Sequence, residues 1–173
     1  MKEYKLPIGC DVPETIILAD GDFPSHPLAL EWLRQCPYVV CCDGAANTYI
    51  RSGRMPEAIV GDGDSLLPDI KERYASLIHS EAEQETNDLS KAFRFCLSQE
   101  RKRITIMGAT GKREDHTIGN VSLLADYMEQ AEVSMMTDYG IFVPIREDSM
   151  FESYIGQQLS LIHISEPTRR VVI

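Results

Sequence analysis

The stretch YVVCCDGAANTYIRSGRMPEAIVGDGDS, Tyr38 to Ser65, decides the fold. It opens on a short apolar run rich in β-branched residues, Tyr38 to Cys42, which reads as a buried strand. Asp43-Gly44 interrupts the run, and Ala45 to Ser52 then follows helical spacing. A second short apolar run, Ala58-Ile59-Val60, ends in Gly61-Asp62-Gly63-Asp64-Ser65. A helix set between two short buried strands is the signature of a crossover unit, so the two strands are expected to run parallel.

The same alternation continues on both sides. Thr15 to Ala19 reads as a first strand and Leu28 to Gln35 as a helix. Downstream, Ile70 to Leu77 reads as helix and Ile78-His79 as a strand remnant. Asp88 to Gln99 has the clearest helical period, with Leu89, Ala92, Phe93, Cys96 and Leu97 at three- and four-residue steps. Arg103 to Met107 follows as strand, Thr117 to Glu129 as helix and Val133 to Thr137 as strand. The expected fold class is therefore α/β, an open and mostly parallel sheet with covering helices over residues 1–138. Ile141 to Ile145 and Met150 to Ile155 read as strands without helices, so residues 139–173 are expected to begin a small β-sandwich domain. The stretch from Leu159 to Ile173 has too little apolar patterning to complete one.

The chain has 173 residues, 43% hydrophobic and 25% charged, with a formal net charge of −10, the composition of a globular protein that repels polyanions. Non-specific nucleic-acid binding through a basic face is not expected, and a phosphorylated ligand would have to be met locally, by backbone N–H groups, a metal or a few Lys and Arg. Cys10, Cys36, Cys41, Cys42 and Cys96 form no Cys-x-x-Cys pair and read as buried thiols of a reducing compartment. No apolar run reaches the ~18 residues of a membrane span and the N-terminus has no signal-peptide pattern, so a cytoplasmic protein without membrane contact is expected.

In an open α/β sheet the loops after the strands line the ligand crevice, and four polar clusters fall there, the fourth in two parts. Asp20-Gly21-Asp22 follows the first strand; it is either an ordinary turn or a place where backbone and carboxylates approach a phosphate or a metal. Asp43-Gly44 either caps the next helix or contacts a nucleotide or magnesium. In Gly61-Asp62-Gly63-Asp64-Ser65, two carboxylates two residues apart share one side of an extended segment and suit one magnesium ion. Thr86-Asn87-Asp88 leads into the strong helix with Lys91 on the same face as Asp88. Gly108-Ala109-Thr110-Gly111-Lys112-Arg113-Glu114-Asp115-His116 joins a strand to a helix and carries cations for phosphate. Its spacing is not that of a Walker P-loop, and Asp115 reads either as an N-cap or as a functional carboxylate.

In this order and spacing, Asp43-Gly44-Ala45, Gly61-Asp62-Gly63-Asp64-Ser65, Asn87-Asp88 with Lys91, and Gly111 through Thr117 resemble the thiamine pyrophosphokinase family. The likeness covers residues 15–140. Asn87 stands where the family usually has Thr, and Lys112 where it usually has Gly. The resemblance implies pyrophosphoryl transfer from ATP to the thiamine hydroxyl, with AMP as the other product and Mg²⁺ as cofactor, in a homodimer whose second domain is a β-sandwich. It implies Asp62, Asp64 and Asp88 as metal ligands, and Asp43, Arg113 and Asp115 as further catalytic groups. Gly21, Asp22, Asp43, Gly44, Asn87, Lys91, Gly111, Lys112, Arg113 and His116 would contact ATP. With a shortened second domain, the alternatives are a non-catalytic ATP- or thiamine-binding module and an Mg²⁺-dependent diphosphate hydrolase.

Overall fold

A computed structural model of the protein describes residues 1–7, 12–80 and 86–162. In chain order its elements are β1 (Lys2–Tyr4), β2 (Thr15–Leu18), α1 (Pro27–Gln35), β3 (Val39–Cys42), α2 (Ala45–Arg51), β4 (Ala58–Gly61), α3 (Pro68–Arg73) with a following turn of 3-10 helix, and β5 (Ile78–Ser80). Then come α4 (Asp88–Ser98), β6 (Arg103–Met107), α5 (Glu114–Tyr127), β7 (Glu132–Met136), β8 (Ile141–Phe142) and β9 (Ser149–Phe151). The main sheet has seven strands in the order β5-β4-β3-β2-β6-β7-β8, all parallel except β8, which runs antiparallel to β7.

Every residue of β2, β3 and β4 is buried, as expected for strands covered on both faces. Their side chains divide by the two-residue period of a strand. Ile17, Val40, Val60 and Ile106 pack under α4 and α5 with Leu89, Phe93 and Leu124. Ile16, Leu18, Val39 and Cys41 pack on the other face with Ala29, Leu33, Ala46 and Tyr49 of α1 and α2. Cys41, Cys42 and Cys96 are core thiols, and burial drives the first two far from ionisation and pushes Cys96 up to about 12.

Two helices differ from the expected ranges. The 70–77 segment starts earlier, at Pro68, whose fixed φ suits a first turn, and its α-helix ends at Arg73 before one 3-10 turn. Helix α5 starts at Glu114 and not Thr117. The expected start of a separate β unit also takes another form: Ile141 pairs with Met136 and Phe142 with Met135, so β8 extends the α/β sheet. β9 pairs in parallel with β1, and the rings of Tyr4 and Phe151 stack with centroids 4.8 Å apart. Among the described residues these strands form no β-sandwich, and residues 163–173 of the expected second domain lie outside the described range. No helix among the described residues is long and apolar enough to cross a membrane.

The chain leaves β2 toward β3 on one side and later returns to place β6 on the other. The sheet therefore has its topological switch point between the C-terminal ends of β2 and β6, where the following loops splay apart and leave a crevice.

Candidate functional site

The crevice is floored by two loops bound to each other. Gly21 N–H donates to the Gly108 carbonyl at 2.6 Å and Asp22 N–H to the Thr110 carbonyl at 2.8 Å. The approach is too close for a side chain: a Cβ on Gly21 would lie 2.3 Å from the Thr110 oxygen and 2.4 Å from that of Gly108. Gly111, at φ +77°, turns the second loop over the carboxylate of Asp22. Asp22, Pro24, Gly108, Thr110, Thr137 and Asp138 line a small cleft here. Asp138 accepts from the Ser25 hydroxyl at 2.5 Å and from the backbone N–H groups of Ser25 and His26 at 2.9 and 2.8 Å, which pins the β2–α1 loop to the end of β7; these bonds, the hydroxyl's foremost, hold the Asp138 carboxyl below its ordinary range.

Lys112 reaches back across the same loops. Its Nζ donates to the Asp20 carbonyl at 2.9 Å and to Asp20 Oδ1 at 3.1 Å, both side chains being about half exposed. The Asp20 carboxylate stands over Gly44, where a Cβ would lie 2.5 Å from Oδ2. The loops after β2, β3 and β6 thus meet at one acidic residue. Lys112 itself holds φ +58°, a left-handed conformation that a non-glycine residue adopts at a cost of about 1 kcal/mol.

Asp43 follows β3 at φ +31° and is buried. It is not the side-chain cap of α2, whose N-cap is Gly44. Instead its Oδ2 accepts from the Ser65 N–H at 3.1 Å, while Oδ1 is buried with no hydrogen-bond partner. The carboxylate of Asp62 stands against Asp43, and burial, followed by that contact and repulsion from Asp88, raises the Asp43 pKa to about 6. Asp62 is held below its ordinary value, chiefly by the Asp64 N–H, which donates to its Oδ1 at 3.1 Å, then by Asp43 and by the Lys91 cation. Gly61 permits the contact, since a Cβ there would come within 2.8 Å of that of Asp43.

Asp62 and Asp64 were expected to share one side of an extended segment. The segment is instead a turn, with Gly63 at φ +76°, so the two-residue period does not apply and Asp64 enters through its backbone N–H. The turn is fastened by groups the sequence reading did not single out. Asn47 donates to the Ser65 carbonyl at 2.8 Å and accepts from Leu67 N–H at 3.0 Å, and Lys71 Nζ donates to the Gly63 carbonyl at 3.0 Å.

From the other side, Asn87 caps α4 by accepting from Ser90 N–H at 2.9 Å, which sets Asp88 in the first turn. Lys91 is buried, unusual for a lysine, and its Nζ is 3.3 Å from Asp88 Oδ1. Asp43, Asp62, Asp88 and Lys91 are thereby brought into electrostatic contact at the ends of β3, β4 and α4. Arg113 and Asp115 form an exposed pair, Nε to Oδ1 3.1 Å. Asp115 and His116 lie inside the first turn of α5, whose N-cap is Arg113, so Asp115 is not a cap either.

Among the described residues no three carboxylate, imidazole or thiol groups stand close enough to enclose an ion as they lie. The donor set nevertheless suits one. Asp43 Oδ1 has no hydrogen-bond partner and the Asp43 carboxylate stands beside that of Asp62, so a shared proton or a cation would satisfy both.

Comparison with known proteins places this geometry in a family context. The family model described as "Thiamin pyrophosphokinase, catalytic domain" matches residues 29–136. Thiamine pyrophosphokinase 1 of Oryza sativa subsp. japonica is 30% identical over 158 residues, which span 75% of this chain and 60% of the rice protein. Thiamine pyrophosphokinase of Bacillus subtilis is 34% identical over 86 residues, 47% of this chain and 40% of the bacterial protein. Among solved structures, thiamin pyrophosphokinase from Geobacillus thermodenitrificans superposes with a TM-score of 0.57 at 27% identity, over 70% of this chain and 58% of that one. The yeast thiamin pyrophosphokinase shares the fold, with a TM-score of 0.62 at 18% identity over 79% of this chain and 63% of its own. The chain spans about 60% of the length of rice thiamine pyrophosphokinases 1 and 3.

Proposed function

This chain belongs to the thiamin pyrophosphokinase catalytic-domain family, and from that premise we propose that it transfers a pyrophosphoryl group from ATP to the hydroxyl of thiamine, yielding thiamine diphosphate and AMP. The observation that carries the reading is the buried, partnerless Asp43 Oδ1 set against Asp62, with Asp88 and the buried Lys91 beside them. Clustered carboxylates in an acidic chain destabilise it unless a cation joins them, and Mg²⁺ bound to a polyphosphate is such a cation. Asp43, Asp62 and Asp88, with Asp64 at the rim, would hold Mg²⁺, which when bound neutralises phosphate oxygens of ATP.

The chain's own groups then position the reactants. Lys91 offers its ammonium from the floor of the cluster, and Lys112 and Arg113 offer theirs from the β6–α5 loop, so that charge developing on the transferring group meets fixed cations. Gly21, Gly44 and Gly111 let the loops and the carboxylates of Asp20 and Asp22 close on one another, which shapes the crevice for the triphosphate. Asp22, beside the cleft, faces the nucleoside, and Asn87 and His116 line the path between the two helix starts. Asp115 orients Arg113 through their ion pair. Residues after β8 begin the domain that completes the thiamine side in a cytoplasmic homodimer, and nucleic acid is not a partner.

The test is release of AMP from Mg-ATP with and without thiamine. Release that requires thiamine is expected, and Asp62→Ala should lower it by about 100-fold. Release without thiamine would instead identify a diphosphate hydrolase, and ATP binding without release a non-catalytic module.

A further inference from the structure

Asn120 is a buried amide on α5, one turn beyond the polar start of that helix, and both ends of its side chain are engaged. Its Nδ2 donates to the Ala109 carbonyl at 2.8 Å, and its Oδ1 accepts from Asn87 Nδ2 at 3.2 Å. Asn87 in turn accepts from Ser90 N–H at 2.9 Å as the cap of α4. A continuous chain of hydrogen bonds therefore runs from the β6–α5 loop, through two side-chain amides, to the first turn of α4. At one end it fixes the loop that carries Lys112 and Arg113. At the other it fixes the turn that carries Asp88 and Lys91.

The bodies of α4 and α5 are held together independently. Ser90 and Tyr127 hydroxyls lie 2.8 Å apart, and the rings of Phe93 and Tyr127 stack at 3.9 Å. The amide chain is thus not needed to pack the helices. What it adds is the placement of their ends, because a buried amide that finds all its partners in one geometry excludes neighbouring ones. We infer that Asn120 is a positioning residue, one that locks the cation-bearing loop after β6 to the Asp88–Lys91 turn through Asn87. For catalysis this inference rests on the transfer reaction proposed above; its structural part does not.

Two substitutions separate placement from capping. Asn120→Leu removes both arms at similar volume. Asn87→Thr keeps a capping oxygen for Ser90 N–H but has no amide to reach Asn120. Each should lower kcat for thiamine-dependent AMP release about 10-fold or more while KM for thiamine stays within about twofold, since small misplacements of reacting groups act on turnover. The double variant should be no slower than the slower single one, as expected for two links of one chain. Amide hydrogen exchange of the proteins without ligand gives a readout independent of activity. In both variants the amides of residues 88–92 and 109–113 should exchange faster together, by about tenfold, with the β2 and β3 amides unchanged. If Asn120→Leu does not fold, the exchange comparison on Asn87→Thr decides alone, because Asn87 is also placed beside the ATP path. Losses that multiply in the double variant, kcat within twofold of the parent, or exchange rising at only one of the two segments would each overturn the inference. A parent protein without thiamine-dependent AMP release would refute the transfer reading, and the exchange comparison would still decide whether the two segments are locked together.

Discussion

Replacing Asp43 by Asn should make the protein more stable and nearly inactive. Asn keeps the shape of the side chain and tolerates the left-handed φ of +31° better than most residues. Its oxygen can accept the Ser65 N–H, and its Nδ2 takes the place of the partnerless Oδ1 and can donate to Asp62. The gain follows from linkage. The Asp43 carboxyl rises from an ordinary 3.8 to about 6 on folding, mainly through burial. Folding therefore takes up a proton between those values, and stability falls as pH rises through that window. Asp62 has the opposite sign: its value is lowered, so its contribution is present above the ordinary carboxylate range and lost only as pH falls below it. At neutral pH the ionised Asp43 thus costs up to about 3 kcal/mol by the size of its rise. Part of this is shared with Asp62, leaving about 1–2 kcal/mol to be recovered by Asn. For a chain of this length that amounts to an increase in Tm of about 2–8 °C.

Thermal unfolding at pH 5 and pH 7.5, with and without Mg²⁺, measures each part. Wild-type protein should lose stability between the two pH values in the absence of metal, and Asp43→Asn should lose less. Mg²⁺ should raise the Tm of the wild type and leave the variant nearly unmoved. A lower Tm for Asp43→Asn at pH 7.5, or an unchanged pH dependence, would refute the argument, because either result means that the buried carboxylate is satisfied in a way the geometry does not contain.

Gly21→Ala should cost about 3 kcal/mol, lowering Tm by about 10 °C, because its Cβ would strike two backbone carbonyl oxygens that cannot rotate away; a Tm within 2 °C of wild type would count against the close contact of the two loops. Lys112→Gly should leave Tm unchanged or slightly raised, since relief of the φ of +58° outweighs a half-exposed ion pair to Asp20 worth a few tenths of a kcal/mol. The same change should raise KM for ATP about fivefold in steady-state assays, and an unaltered KM would remove Lys112 from the phosphate site.

The central strands β2, β3, β4, β6 and β7 were legible because each is a short apolar run closed by Asp or Gly and largely buried, whereas β1, which has no apolar run, was not foreseen. The polar residues after them were legible for the same reason. Boundaries failed where the pattern is silent. Glu114, Asp115 and His116 contribute no apolar residue, so the period of α5 becomes visible only later, although the helix has already begun in solvent. Ile141-Phe142 is too short to announce a direction, and only the tertiary fold decides that it joins β7. Within the site, the partnership of Asp62 with Asp43 and not with Asp64 depends on a φ at Gly63 that a strand-like reading cannot supply. Asn120 was invisible because its partners, the Ala109 carbonyl before its helix and the Asn87 amide from another helix, meet it only through the tertiary fold.

The places where local preference is overruled also bear on function. Three non-glycine residues among those described hold positive φ: Asp43, Glu100 and Lys112. Glu100 lies just past the end of α4, where a left-handed residue is an ordinary helix terminator. Asp43 and Lys112 end no helix. Asp43 directly follows β3 and Lys112 lies in the loop between β6 and α5, and the side chain of each is held by a specific bond, to Ser65 and to Asp20. Strain of this kind persists only when its surroundings over-determine it, and it collects where a ligand completes the arrangement. A chain with ten excess negative charges gains no stability from a buried, partnerless carboxylate or from a lysine in a disfavoured backbone conformation. Both become favourable when a cation sits between the carboxylates and an anion lies against the lysine, which is the pair of charges that a metal-bound triphosphate brings.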